Sequence, residues 1–298
     1  MSEAFNSAGE TPAIAFSDVS MSFDEQRVLS RISFNLERNQ MIIITGNSAS
    51  GKSVLLRLAI GLLQPDEGEI FIGGQEIDQL AENQLLELRS NLMGIAFQED
   101  TLFTGMKVFD NAAYRLVEHN WQEAEVDRAV FEILHFVGLE NDMEKLPEEL
   151  SIGMRRRLEL ARALAGWPPI MLFDEPTSGL DPINARMILD LVIRARDIHH
   201  ISSLLVSKEL HQIKYIAEHY AAAEGGQVVI RQGAPVEAPE IKIMVLDHGE
   251  MIFFGNLSEF ENSTLPAVVR FKDRTAVMHE AGTYEKDPWE NIAKWKHL

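Results

Sequence analysis

Residues 46–53 read Gly-Asn-Ser-Ala-Ser-Gly-Lys-Ser. Glycines let such a loop curl until its backbone N–H groups converge on phosphate oxygens. The helix expected from Val54 onward turns its positive N-terminal end toward the same anion. Lys52 is then the cation over the β- and γ-phosphates, and the Ser53 hydroxyl is a ligand for Mg²⁺. A Gly/Ser-rich turn between a core strand and a helix would account for Gly46 and Gly51. It would not account for Lys52-Ser53 at a helix start. The nucleotide-contacting set is therefore Gly46, Asn47, Ser48, Ala49, Ser50, Gly51, Lys52, Ser53 and Val54.

Asp174 and Glu175 follow the apolar run Ile170-Met171-Leu172-Phe173. In an open α/β sheet, ligands bind at the C-terminal ends of the strands. An aspartate there can hold Mg²⁺, and the adjacent glutamate can orient or polarise the attacking water. By itself an Asp-Glu pair is a solvated loop start. Downstream of a phosphate loop it reads as the acidic half of the same site.

The elements that must carry these residues follow from the apolar pattern. Ile42-Ile43-Ile44 is a buried strand leading into the phosphate loop. Ile14, Phe16, Val19, Met21 and Phe23 alternate up to a turn at Asp24-Glu25-Gln26, and Val28 to Leu36 alternates again, predicting an antiparallel pair. A short strand is expected over 69–72 and a helix over 80–88. From 99 to 165 the chain reads as helix, broken at Gly105, Gly138 and 147–151, with Ser151 as N-cap of the helix that follows. Runs 170–173 and 204–206, separated by a helix from 185 to about 198, read as buried parallel strands. Further strands are expected at 228–230, 241–246 and 251–254. The fold class is α/β.

Composition narrows the partners. The chain has 298 residues, 46% of them hydrophobic, enough for a full core. Lys+Arg 27 against Asp+Glu 46 gives a net charge of -19, which disfavours nucleic acid and bare anionic membrane. There are no cysteines, so disulfides and thiolate metal sites are excluded. Residues 1–12 look like a disordered lead-in without signal-peptide character, and no apolar run approaches the roughly 20 residues that span a bilayer. A soluble protein is expected, reaching membranes only through a partner.

With Gln98, Leu150-Ser151-Ile152-Gly153-Met154, Phe173-Asp174-Glu175-Pro176 and Ser178-Gly179-Leu180-Asp181 in order behind the phosphate loop, the chain resembles the nucleotide-binding subunits of ABC transporters. The resemblance implies a P-loop NTPase (RecA-like) core with an antiparallel β subdomain and an inserted helical subdomain. The ABC ATPase domain then spans 13–255, with its core at 13–98 and 166–255 and the helical subdomain at 99–165, before a C-terminal tail at 256–298. It implies ATP and Mg²⁺, the metal held by Ser53, Asp174 and Gln98. Glu175, Lys52, Gln98 and the residue at the switch position form the catalytic set. Phe23 holds the place of the adenine-stacking aromatic; the alternative is a core phenylalanine on an alternating strand. Ser151, Gly153 and Asp181 belong to the nucleotide contacts, the signature facing the γ-phosphate bound by a second copy. The active form is then a dimer with ATP sandwiched at its interface.

Two positions depart from the family pattern. Ile152 replaces the first signature glycine, and a β-branched residue restricts the backbone there. Val206-Ser207-Lys208-Glu209 puts Lys208 where the family has a histidine. An ammonium only donates hydrogen bonds, whereas a histidine can also accept. Lys208 is either a substitute switch or a solvated lysine, and His211 reads as a surface residue. Slow hydrolysis with Glu175 as the critical carboxylate is expected.

Residues 102–119, beginning Leu-Phe-Thr-Gly-Met-Lys-Val-Phe-Asp-Asn, resemble the ATPases of Mce/Mla-type lipid transport systems. That implies a permease helix docked near the Q-loop and helical subdomain, an Mce-domain protein in the same complex, and a cytoplasmic location on the face of the inner membrane. Phe103, Met106, Val108 and Phe109 suit such docking or belong to the subdomain core. Transport of another solute and an ATP-dependent regulatory module are the alternatives. The stretch 221–240 reads as an inserted exposed hairpin or loop. The tail carries Trp289, Ile292, Trp295 and Lys296, expected to pack on a neighbouring protomer or on the chain's own core.

Overall fold

The computed structural model describes residues 11–24, 26–98, 101–233 and 239–281, with 274–281 as backbone alone. Strand β3 (Met41–Gly46) is buried along its whole length, as expected of a β-branched run covered on both faces. It lies between β11 (Ile241–Asp247) and β8 (Ser202–Val206), parallel to both. Parallel neighbours β7 (Ile170–Asp174) and β6 (Met93–Ala96) extend the sheet on one side. β12 (Glu250–Gly255) closes the other edge antiparallel. The resulting six-stranded order is β12-β11-β3-β8-β7-β6.

Strand residues alternate between two cores, as a period of two requires. Met41, Ile43, Met171, Phe173 and Leu205 face the first, which contains α3 (Val108–Glu118), α4 (Glu123–Val137), α5 (Ile152–Leu164) and α6 (Pro182–Ile198). Ile42, Ile44, Leu172, Leu204 and Met244 face the second, with α1 (Lys52–Ala59) and α2 (Glu82–Leu92). There they meet an antiparallel sheet of β1 (Ile14–Phe23), β2 (Gln26–Leu36), β4 (Glu67–Ile72) and β5 (Gln75–Glu76), in the order β2-β1-β4-β5. Val28 and Leu29 of β2 press against the phosphate loop, so this sheet forms one wall of the site.

Residue 256 is not a boundary in packing. After α7 (Leu210–Glu218) and β11–β12, the helices α8 (Leu257–Glu261) and α9 (Pro266–Ala281) bring Phe260, Val268 and Phe271 into the first core. The Phe260 ring centroid lies 5.7 Å from that of Phe253 and 6.3 Å from that of Phe271. The tail expected from 256 therefore begins with core structure, because aromatic residues spaced this widely show no period until the sheet supplies their partners. Trp289, Ile292, Trp295 and Lys296 lie outside the described residues.

The insertion forms a hairpin of β9 (His219–Glu224) and β10 (Gln227–Gln232). Gly225 and Gly226 have φ of 57° and 81°, the two left-handed positions of a type I′ turn. Among its described residues, only part is exposed. Ala221 is buried, Val228 and Ile230 pack on the first core, and the Ala221 N–H donates to Asp197 at 2.7 Å.

Candidate nucleotide site

The loop geometry begins with Gly46, whose backbone pairs with Leu246. A Cβ on Gly46 would sit 2.0 Å from the Leu246 carbonyl oxygen. Gly51, at φ 94°, would drive a Cβ to 2.5 Å from the Leu29 side chain. Gly46, Ala49 and Gly51 all have positive φ, which turns successive N–H groups inward as an anion nest. Helix α1 has no acidic residue in its first turn and no side-chain cap, so its first N–H groups are left for an anion. Lys52 folds back over the loop, donating to the carbonyls of Gly46 at 3.0 Å and Asn47 at 2.6 Å, and to the Ser50 hydroxyl at 3.2 Å. Burial first, and then the Lys208 ammonium, bring its pKa down to about 8 against the pull of Glu175 and Asp174. Asn47 is tied across the sheet, its amide donating to Asp247 at 2.9 Å.

The acidic pair sits where β7 ends beside β8. Asp174 is level with Val206, and the Glu175 N–H donates to the Val206 carbonyl at 3.2 Å. The Ser53 hydroxyl donates to the Asp174 carboxylate, whose pKa burial raises above the usual range. Asp174 Oδ1 is buried without a hydrogen-bond partner. A buried carboxylate oxygen lacking a donor, next to a hydroxyl, is the donor set a hard cation takes. Ser53 and Asp174 therefore fit Mg²⁺.

Glu175 is held at φ 48°, a left-handed conformation for a residue with a side chain. Such strain persists only where surrounding structure enforces it. Here the Glu175 backbone is held by its N–H on Val206 and by its carbonyl, which accepts from the Ser178 N–H at 2.9 Å. The flanking loops are braced by Gln212. Its side-chain oxygen accepts from the Thr177 hydroxyl at 2.8 Å and from the Ser207 hydroxyl at 3.2 Å, both buried contacts joining the loop after β7 to the loop after β8. Lys208 is thereby placed with Nζ 2.6 Å from Glu175 Oε1. Its side chain is exposed to solvent and ion-paired at once. His211 is half-buried rather than a surface residue, 3.3 Å from the Glu209 carboxylate. Thr177, Ser207 and Gln212 escaped the sequence reading because no spacing rule links them.

Phe23 ends β1 and is 42% exposed, which removes the core-phenylalanine reading. Gln98 reaches Ser178, Nε2 to Oγ, at 3.4 Å. Its backbone is gripped from α5, where Arg156 donates to the carbonyls of Phe97 at 3.4 Å and Gln98 at 2.5 Å while pairing with Glu159 at 2.8 Å. Ser151, Gly153 and Asp181 form a second cluster. Ser151 Oγ caps α5 by accepting from the Met154 N–H at 3.2 Å, and Asp181 caps α6 through Ile183 and Asn184. Asn184 also donates its side-chain amide to Asp181 at 2.6 Å and lies where a Gly153 Cβ would fall. These side-chain oxygens are engaged by their own helix starts.

At the edge strand β6, a groove of about 390 Å³ is lined by Ile95, Phe103, Tyr114, Arg115 and Arg162, among others. Phe103 and Tyr114 have ring centroids 4.5 Å apart, with the Arg162 guanidinium 5.1 Å from the Phe103 ring. Val108 is fully buried and Phe109 packs on the core, whereas Phe103 and Met106 face outward. The apolar segment thus divides between core and surface.

Residues 29–178 match the family model for ABC transporters. The chain belongs to the ABC transporter ATP-binding family. It is 35% identical over 227 residues to the intermembrane phospholipid transport system ATP-binding protein MlaF of Haemophilus influenzae, covering 75% of this chain and 85% of that one. It is 40% identical over 182 residues to the probable ribonucleotide transport ATP-binding protein mkl of Mycobacterium leprae, covering 61% of this chain and 52% of the relative. A dimeric ATP-binding cassette solved with ADP and phosphate superimposes with TM-score 0.68 at 24% identity, over 82% of this chain and 98% of that one. As an ABC ATPase, the chain hydrolyses ATP. No helix among the described residues is long and apolar enough to cross a membrane.

Proposed function

We propose that this ATPase energises movement of phospholipid or a related lipid by an Mce/Mla-type system, through a membrane permease seated in the groove at Phe103 and Tyr114. The observation that carries the proposal is the pair of outward-facing aromatic rings, Phe103 and Tyr114, in a groove at the edge strand β6. Similarity to a phospholipid transport ATPase over most of both chains supports it.

In this reading the N–H groups of 46–54 and the Lys52 ammonium cradle the β- and γ-phosphates. Phe23 offers a π-face to adenine. Ser53 and Asp174, with Gln98, would hold Mg²⁺, which neutralises phosphate charge when bound. Glu175 orients water for attack on the γ-phosphorus. Ser151, Gly153 and Asp181 act across the interface of two copies, each completing the other's pocket. The permease, an Mce-domain protein and a second copy of this chain are the partners, on the cytoplasmic face of the inner membrane.

Co-purification with the membrane proteins encoded beside it, followed by mass spectrometry of extracted small molecules, tests the assignment. Bound phospholipid, together with ATPase stimulation by phospholipid in nanodiscs, is expected. Stimulation by a water-soluble solute such as a ribonucleotide, without lipid dependence, would assign the chain to a solute transporter instead.

A further inference from the structure

The ion pair between Lys208 and Glu175 joins the residue that departs from the family pattern to the proposed water-orienting carboxylate. We infer that Lys208 is a latch on Glu175, opened by the terminal phosphate of a bound nucleoside triphosphate and left shut by a diphosphate. The inference rests on Glu175 being the group that orients water. While the ammonium is bonded to Oε1, that oxygen's negative charge is neutralised and its lone pair is directed at a donor. An ammonium offers no acceptor in return. A water molecule seeking that oxygen competes with a full positive charge.

The backbone on both sides is braced by hydrogen bonds. Glu175 is fixed at positive φ with its N–H on Val206, and Gln212 ties Thr177 and Ser207 together. What can move is the lysine stem, which is 43% exposed against 13% for the Glu175 side chain. A half-exposed pair of this kind is weak and readily exchanged.

The competitor's place follows from the sheet. Val206 is level with Ile44 and the Ser207 N–H donates to the Ile44 carbonyl at 3.1 Å, so Lys208 leaves β8 beside the strand that opens into the phosphate loop. Lys52 sits in the phosphate loop, so a terminal phosphate resting against it also lies within electrostatic reach of Lys208. A γ-phosphate presents several anionic oxygens to an ammonium, where Glu175 presents one carboxylate. A β-phosphate ending at the loop lacks that reach. Glu175 is then unmasked when there is a γ-phosphate to attack and masked after it has left. As an ordinary surface salt bridge, the pair would be indifferent to the length of the phosphate chain.

A water-soluble carbodiimide joins an amine to a carboxylate held in an ion pair, and peptide mass spectrometry locates the bond. With the full chain and Mg²⁺-ADP, a Lys208–Glu175 cross-link is expected. With the Mg²⁺ complex of β,γ-imido-ATP its yield should fall several-fold. Equal yields, or no such cross-link under either condition, would overturn the latch. In Lys208→Met, affinity for the triphosphate analogue should drop several-fold while ADP affinity holds, and Lys208→Arg should retain the difference. A Lys208→Met protein that still prefers triphosphate as wild type does would overturn it by a second route. Glu175→Gln turning over at the wild-type rate would remove the role given to Glu175, and the cross-linking result would still report on the exchange itself.

Discussion

Thr177 donates its hydroxyl to the side-chain oxygen of Gln212 at 2.8 Å, inside the protein. With Ser207 on the same oxygen, that contact is the strut between the two loops that carry Glu175 and Lys208. Gln212→Leu leaves two buried hydroxyls without an acceptor. Each unsatisfied group costs about 1–3 kcal/mol. Thermal melts should show a clear loss of stability. Turnover should fall by more than nucleotide affinity, because Lys52 and residues 46–51 are held by other contacts. A larger drop in ATP affinity than in turnover would show that the strut supports the phosphate loop instead.

Gly153 has no room for a methyl group, since its Cβ would lie 2.0 Å from Asn184 Oδ1. Asn184 cannot swing away freely because its amide is bonded to Asp181. Gly153→Ala should therefore disturb the starts of α5 and α6 together. The expected result is impaired ATP-dependent association in sedimentation experiments, with nucleotide binding by the single chain intact. Adding Asn184→Ala should restore part of the association by opening the space.

Glu175→Gln removes the carboxylate charge and keeps the shape. General-base assistance contributes roughly 10²–10⁴-fold in rate. Turnover should fall within that range, while equilibrium ATP binding changes little. A loss of under tenfold would transfer the role to another group.

Asp174 Oδ1 has no protein donor, so Asp174 and Ser53 should contribute little to affinity when Mg²⁺ is chelated. Asp174→Asn and Ser53→Ala are expected to weaken Mg²⁺-ATP binding and to leave metal-free ATP binding nearly unaltered. Equal weakening with and without the metal would make them structural.

His199 stacks on Trp167 with ring centroids 3.4 Å apart and meets the Phe136 edge. Burial holds its pKa below the ordinary histidine value, against Glu132 and helped by His200. The unfolded chain therefore takes up the proton first as pH falls, and stability is lost from about pH 6.5 downward. His199→Phe keeps an aromatic stack without a titrating group. Its melting temperature should fall less than that of wild type between neutral and mildly acidic buffer. Parallel curves would assign the acid sensitivity elsewhere.

What was legible from residues alone was local or strictly periodic. The phosphate loop is contiguous, and its glycines, lysine and serine act through backbone and side chain within a few positions of one another. Strands such as Met41–Gly46 and helix starts such as Ser151 announce themselves by burial pattern and capping chemistry. Contacts between distant segments had no such signature. The chain order allowed Lys208 to be solvent-facing or part of the site, and only the register of β7 against β8 brings it to Glu175. Phe103 and Val108 are both apolar, yet one lines a groove while the other is core, which tertiary packing around the start of α3 decides. Phe260 and Phe271 became core only where a folded sheet gave them partners. Short-range chemistry is written in neighbouring residues; which side chains meet across the molecule depends on packing, which no single stretch contains.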